Sequence, residues 1–203
     1  MLDSDHDPIA GASAVSSSPA RKISPAEYLE AERAAETKSE YYAGQGFAMT
    51  GASLPHNRIV SNLIKALGRQ LEGTPCEVLP GDMRLHIVAS GLYTYPDVTI
   101  VWGAPELEDE HRDTLLNPSV LIEVLSPSTE RYDRGGKAEH YRQIPSLQEY
   151  LIVRQDAPRI EQYHRRSERE WTLTEAIGLD EDVQLASVPC SLVLREVYER
   201  VFA

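Results

Sequence analysis

Two apolar runs dominate the chain. One is Val98-Thr99-Ile100-Val101-Trp102, opened by Pro96-Asp97, and the other is Val120-Leu121-Ile122-Glu123-Val124-Leu125. Neither alternates between apolar and polar positions, so both read as strands buried on both faces. Glu123 breaks the second run in its middle. A carboxylate there costs several kcal/mol unless a cation or hydrogen bonds compensate it.

Helical spacing shows elsewhere. Ser24-Pro25 opens a helix, with serine as N-cap, proline in the first turn and Glu27 at the capping-box position. The pattern carries this helix to about Ser39. Glu40-Tyr41-Tyr42 and Phe47-Ala48-Met49, separated by Ala43-Gly44-Gln45-Gly46, predict a short hairpin. Ile59, Val60, Leu63, Ile64, Leu67 and Leu71 predict a second helix over about 56–72, ended by Gly73. Strands are expected near 76–79, 83–88, 97–102 and 119–125, with an acidic, proline-bearing loop over 103–117. Ser126-Pro127-Ser128-Thr129 reads as a loop and Arg134 to Ile144 as a third helix. Four further strands, over 149–153, 159–164, 171–175 and 183–186, suggest a meander, and a short helix closes the chain at about 192–202. Residues 1–22 are rich in Asp, Ser, Ala and Pro without periodicity and read as a disordered tail. The element order predicts an α/β chain of the mixed α+β kind, with a central mixed β-sheet flanked by α-helices in one domain over 23–203.

Composition narrows the class. An apolar content of 41% and a charged content of 26% are those of an ordinary globular chain. No apolar stretch approaches the roughly 20 residues of a membrane span. The N-terminus shows no signal-peptide pattern, and Cys76 and Cys190 belong to no C-x-x-C motif, so a reducing cytoplasm is the expected compartment. The net charge of −12 argues against a protein that coats nucleic acid nonspecifically. Charge is unevenly spread, however. Arg58, Lys65 and Arg69 mark a segment from His56 to Leu71 that contains no acid, and a second basic stretch runs from Arg154 to Arg169. The first of these could face phosphates or simply form the wet face of an amphipathic helix.

The candidate chemistry rests on Asp97, Glu123 and Lys137. Hard divalent cations take oxygen ligands and few protein carboxylates, keeping positions for water and substrate. Two carboxylates on adjacent central strands suit such an ion. Asp97 could instead be a turn residue at a strand start, and Glu123 the buried partner of an arginine. Asp133, Lys137 and Tyr141 are spaced four residues apart on one helix face, which also suits an exposed ion pair. That helix follows the Glu123 strand closely, so its start lies near the strand's C-terminal end, where sites of such sheets collect.

These residues, taken with Glu40-Tyr41-Tyr42-x-Gly44, His56-x-x-Ile59-Val60 and Glu123-Val124-Leu125-Ser126-Pro127-Ser128-Thr129, resemble the Uma2 family of restriction-endonuclease-like proteins, within the PD-(D/E)XK nuclease superfamily. The resemblance covers about residues 22–202. It implies a restriction-endonuclease-like core with a metal site where two central strands diverge. Asp97 matches the motif aspartate and Glu123 the motif (D/E). Leu125 stands where the motif lysine is expected, and Lys137 is the substitute the pattern offers from the next helix. Glu40 matches an acid at the end of the family's first helix and is a candidate third metal ligand, alternatively a solvated helix end. His56 and Tyr141 are candidate accessory residues.

The implied function is a Mg2+- or Mn2+-dependent endonuclease acting on DNA, with Asp97, Glu123, the Val124 carbonyl and Glu40 around the metal and Lys137 beside the reacting phosphate. A catalytically inactive relative that binds nucleic acid or a protein partner is the alternative, and a metal hydrolase of smaller phosphoesters a third. Cleaving both strands of a duplex takes two sites, which makes a homodimer one expectation.

Overall fold

In chain order the computed structural model contains α1 (Pro25–Ala34), β1 (Ser39–Tyr42), β2 (Gln45–Ala48), α2 (Leu54–Leu71), β3 (Cys76–Pro80), β4 (Arg84–Ile87), β5 (Leu92–Thr94), β6 (Val98–Trp102), β7 (Thr114–Leu115) and β8 (Val120–Leu125). A helical segment follows, made of α3 (Glu130–Tyr132), a π-helical turn (Asp133–Lys137) and α4 (Ala138–Tyr141). The chain ends with β9 (Glu149–Arg154), β10 (Arg159–Arg165), β11 (Trp171–Ile177), β12 (Asp182–Leu185), β13 (Cys190–Val193) and α5 (Leu194–Val197). The structure describes residues 21–126 and 130–202. Almost all of the expected tail and the loop residues Pro127, Ser128 and Thr129 lie outside the described residues.

The central sheet has six strands in the order β11-β10-β9-β8-β6-β3. Only β8 and β9 run parallel, and the other pairs are antiparallel, so the sheet is mixed as expected. A second, five-stranded sheet, β2-β1-β5-β4-β7, is absent from the sequence reading, as is the small β12-β13 ladder. The missed strands β5, β7 and β13 are only two to four residues long, too short to show an alternation.

Alternation along the central strands sorts side chains between two cores. Val98, Ile100, Val120, Ile122, Val124, Leu151 and Val153 pack under α2 and α5. Val101, Leu121, Leu125, Tyr150 and Ile152 face the other way, toward the second sheet and α4. Glu123 shares the parity of Leu121 and Leu125, so it points to the side of α4 and the second sheet.

Helix boundaries moved where side chains captured the backbone. The capping box at Ser24 and Glu27 forms as expected. The first helix ends at Ala34 rather than near Ser39, because Ala35 turns extended and the Glu32 carboxylate takes the N–H and hydroxyl of Ser39, drawing the chain into β1. The second helix starts at Leu54 on the Ser53 cap. The third begins at Glu130, not Arg134. The C-terminal helix shrinks to Leu194–Val197, because Cys190–Val193 pairs with β12 and Arg200 takes a positive φ of 62°. Of the expected tail, Arg21 and Lys22 lie among the described residues. Arg21 pairs with Glu27 at 2.7 Å, and the Ile23 N–H donates to the Gly44 carbonyl.

The β1–β2 hairpin turns through Ala43 and Gly44, both at positive φ (51° and 89°), as a tight two-residue hairpin requires. On its inner face Tyr41 stacks on Tyr28 of α1 and meets Tyr93 of β5 edge-on. Tyr41 alternates with Glu40 and Tyr42, so this anchor turns those two side chains toward the opposite face.

Candidate active site

The strand register brings the two motif carboxylates together. Val98 of β6 lies opposite Ile122 of β8. Continuing that register by one residue sets Asp97 opposite Glu123, on the face toward α4. The ladder stops there. The Val124 N–H, left without a strand partner on that side, donates instead to Asp97 Oδ2 at 2.8 Å. This is why an aspartate fits where the strands part: its side chain replaces a backbone acceptor. His56, in the first turn of α2, lies on the same oxygen, with Nε2 3.2 Å from Asp97 Oδ2. Ser53 performs the capping, which leaves the His56 ring beside Asp97.

Glu123 is 4% exposed. Its Oε1 accepts from Lys137 Nζ at 3.1 Å and from the Tyr141 hydroxyl at 2.6 Å. The expected alternative, an arginine partner, is therefore replaced by a lysine. Lys137 Nζ also lies 3.1 Å from Glu40 Oε1 and 3.5 Å from Asp133 Oδ1. Asp133 and Lys137 are both buried, which removes the reading of an exposed helical pair. They lie on the π-helical turn, a feature that recurs at functional sites.

Glu40 corrects one expectation. It is neither at a helix end nor solvated. It lies on β1, buried, and accepts from Thr94 Oγ1 of β5. Thr94 was not legible as a site residue, because its strand was not. Asp133 is legible through its spacing of four residues from Lys137 and as one of the residues that carry the family resemblance.

One ammonium thus stands among the acidic side chains of Glu40, Glu123 and Asp133, with Asp97 adjacent. Burial raises the Glu123 carboxyl to about 8, Lys137 offsets part of this, and Asp133 and Asp97 add to it. Burial works against the Lys137 charge, yet Glu123, Glu40 and Asp133 outweigh it and hold the ammonium well above its ordinary value. The Tyr141 hydroxyl is pushed up by burial and then by Glu123, so it stays a donor to that carboxylate. Perturbed groups in contact of this kind cluster at functional sites and also occur in buried ion-pair networks.

The basic segments do not join this centre. Arg58 donates to the Arg200 carbonyl, Arg69 lies 3.1 Å from Glu196, and Lys65 lies 3.9 Å from Glu199, all toward the C-terminal segment. Arg165 donates to the carbonyls of Leu147, Arg142 and Ile144 and covers the Trp171 ring. Arg154 pairs with Asp156.

Comparison with known proteins shows the family and the fold. The model of the Uma2 family, described as "Putative restriction endonuclease", matches residues 25–195. The chain belongs to the Uma2 family. Two uncharacterized proteins of Synechocystis sp. (strain ATCC 27184 / PCC 6803 / Kazusa) are relatives of this Uma2 chain. One, sll1609, is 38% identical over 81% of the chain and 93% of its own length. The other, slr1290, is 36% identical over 90% and 94%. The fold is similar to the crystal structure of "a putative nuclease belonging to DUF820" from Anabaena variabilis ATCC 29413, with a TM-score of 0.67 at 15% identity, covering 82% of this chain and 93% of that one. The Uma2 chain therefore has the mixed α+β fold of that protein. Among the described residues, no helix is long and apolar enough to cross a membrane.

A divalent metal fits the donor chemistry. Asp97 and Glu123 are hard oxygen donors on one face, and the centre holds more acid than its single ammonium balances. Among the described residues no three Asp, Glu, His or Cys side chains form a ready cage. Mg2+ is held by one or two carboxylates together with water and substrate phosphate, so a full protein cage is not what such a site needs.

Proposed function

We propose that this Uma2 protein is a metal-dependent endonuclease that hydrolyses phosphodiester bonds in DNA. The observation that carries the reading is the register that sets Asp97 opposite Glu123 where β6 and β8 part, with Lys137 on the Glu123 oxygen. Mg2+ or Mn2+ held by Asp97 and Glu123, with Glu40 as a third carboxylate, would supply polarisation of the scissile phosphate and a more acidic attacking water.

The chain's own residues have separable tasks. The Val124 N–H and His56 fix the Asp97 carboxylate. Tyr141 holds one oxygen of Glu123 and leaves the other to a ligand. Lys137 carries a fixed positive charge, which neutralises charge developing on the phosphoryl oxygens or orients the attacking water. Its position across from Glu123 does for this chain what a lysine at position 125 would do in the motif. Cleavage of a duplex would call for a second copy of the chain.

A second reading, a non-catalytic nucleic-acid or protein binder, is favoured by one observation: Lys137 already contacts three acidic side chains. Mn2+ titration separates the two. The endonuclease reading expects the wild type to bind Mn2+ and Asp97→Asn to bind it at least about tenfold more weakly, since even outer-shell losses cost that much. Wild-type protein that takes up no Mn2+, alone or with an oligonucleotide, would leave the second reading.

A further inference from the structure

The hairpin that supplies Glu40 carries more than that carboxylate on its site-facing side. Glu40 is paired with Phe47 across the β1–β2 ladder, so the two side chains share a face. Tyr42, two residues on from Glu40, shares it too. Neither ring is absorbed by the core: Phe47 is 49% exposed and Tyr42 40%. Tyr42 meets the His140 ring of α4 edge-on at 4.7 Å. The Tyr132 ring lies 5.7 Å from Lys137 Nζ and is 38% exposed. Gly136 makes room for it, since a Cβ there would stand 3.0 Å from the ring. The opposite face of the same hairpin shows the contrast, with Tyr41 buried against Tyr28 and Tyr93.

We propose that Tyr42, Phe47 and Tyr132 form a stacking rim for unpaired nucleobases beside the Glu123–Lys137 centre, so that the substrate is a single strand or a locally opened segment rather than intact duplex. The inference rests on the nuclease reading of that centre. Its physical basis is the chemistry of the faces. Bases in a duplex cover one another and offer proteins only their edges, whereas an unpaired base offers a π-face to an aromatic ring. Charge favours the same occupant. The chain carries −12 overall, and the cations of α2 are engaged by Glu196, Glu199 and the Arg200 carbonyl. Those α2 charges are partly offset by acids, so stacking carries a larger share of the affinity than phosphate contacts do. The affinity would then depend weakly on salt, unlike binding built on phosphate contacts.

The test uses a fluorescent oligonucleotide of about 12 nucleotides, as DNA and as RNA, single-stranded and annealed to its complement. Binding is read by anisotropy in Ca2+, at two salt concentrations. Wild type, Phe47→Ala, Tyr42→Ala and Phe47→Trp are compared after their thermal midpoints are matched. The expected result is single-strand binding at least about tenfold tighter than duplex binding. Each alanine variant should weaken the single-strand affinity by roughly 5- to 150-fold, and Phe47→Trp should retain it. Equal binding of duplex and single strand, with alanine variants like the wild type, would overturn the rim and leave the nuclease reading standing. No binding of either form would overturn both.

Discussion

Replacing Lys137 with methionine is expected to remove about 3–5 kcal/mol of folding stability at neutral pH. The lysine is 5% exposed and touches Glu40, Glu123 and Asp133 at 3.1, 3.1 and 3.5 Å. Methionine fills the space but leaves those acids facing one another without a cation, and the cost of an unpaired buried charge falls on the folded state. The remedy open to the variant is protonation. Its deficit against wild type should therefore be largest near neutral pH and shrink on acidification, as protons replace the ammonium. Urea titrations at pH 7.5 and pH 5 measure this. A loss below about 1 kcal/mol at pH 7.5 would show that Lys137 is not the cation holding the site together.

Glu123→Gln is expected to change stability in the opposite direction. The folded state raises the Glu123 carboxyl from 4.5 to about 8, chiefly through burial. A folded-state value above the unfolded one means that the native protein holds the proton longer. The associated stability is full below about pH 4.5 and is lost as pH rises through about 8. Glutamine, nearly isosteric and uncharged, has no such proton to lose. In metal-free protein, wild-type stability should fall relative to the variant across that window, by an amount on the order of a few kcal/mol. Denaturation curves for both proteins between pH 5 and pH 9 in chelator test it, and parallel pH profiles would contradict the assignment. A site residue whose neutral replacement stabilises the fold while ending function is what a strained, charge-loaded active site should give.

Much of this candidate site is legible in the sequence. The continuous apolar runs around Asp97 and Glu123 gave two buried strands, and their parity set both acids on one face once the strands paired. The fourfold spacing of Asp133, Lys137 and Tyr141 placed the helix face that meets them. What stayed hidden depended on pairing across sequence distance. Leu92–Thr94 is too short to announce itself, yet its Thr94 holds Glu40. The hairpin reading put Glu40 on a strand, as found, but its burial was hidden, because the first helix was carried to about Ser39 whereas the Glu32–Ser39 hydrogen bonds end it early. The pairing of Glu40 with Phe47 was hidden too, because a turn over 43–46 sets Phe47 opposite Tyr42, whereas the chain turns at Ala43 and Gly44.

The most direct measurement is hydrolysis of end-labelled single-stranded and duplex oligonucleotides by wild type and by Glu123→Gln, each in Mg2+, in Mn2+ and in EDTA. The account predicts cleavage by the wild type that requires metal and falls at least about a hundredfold in the folded variant, the scale on which loss of a single electrostatic contributor to catalysis is felt. A wild type that leaves every substrate intact, or a Glu123→Gln protein that cleaves as well as the wild type, would contradict it.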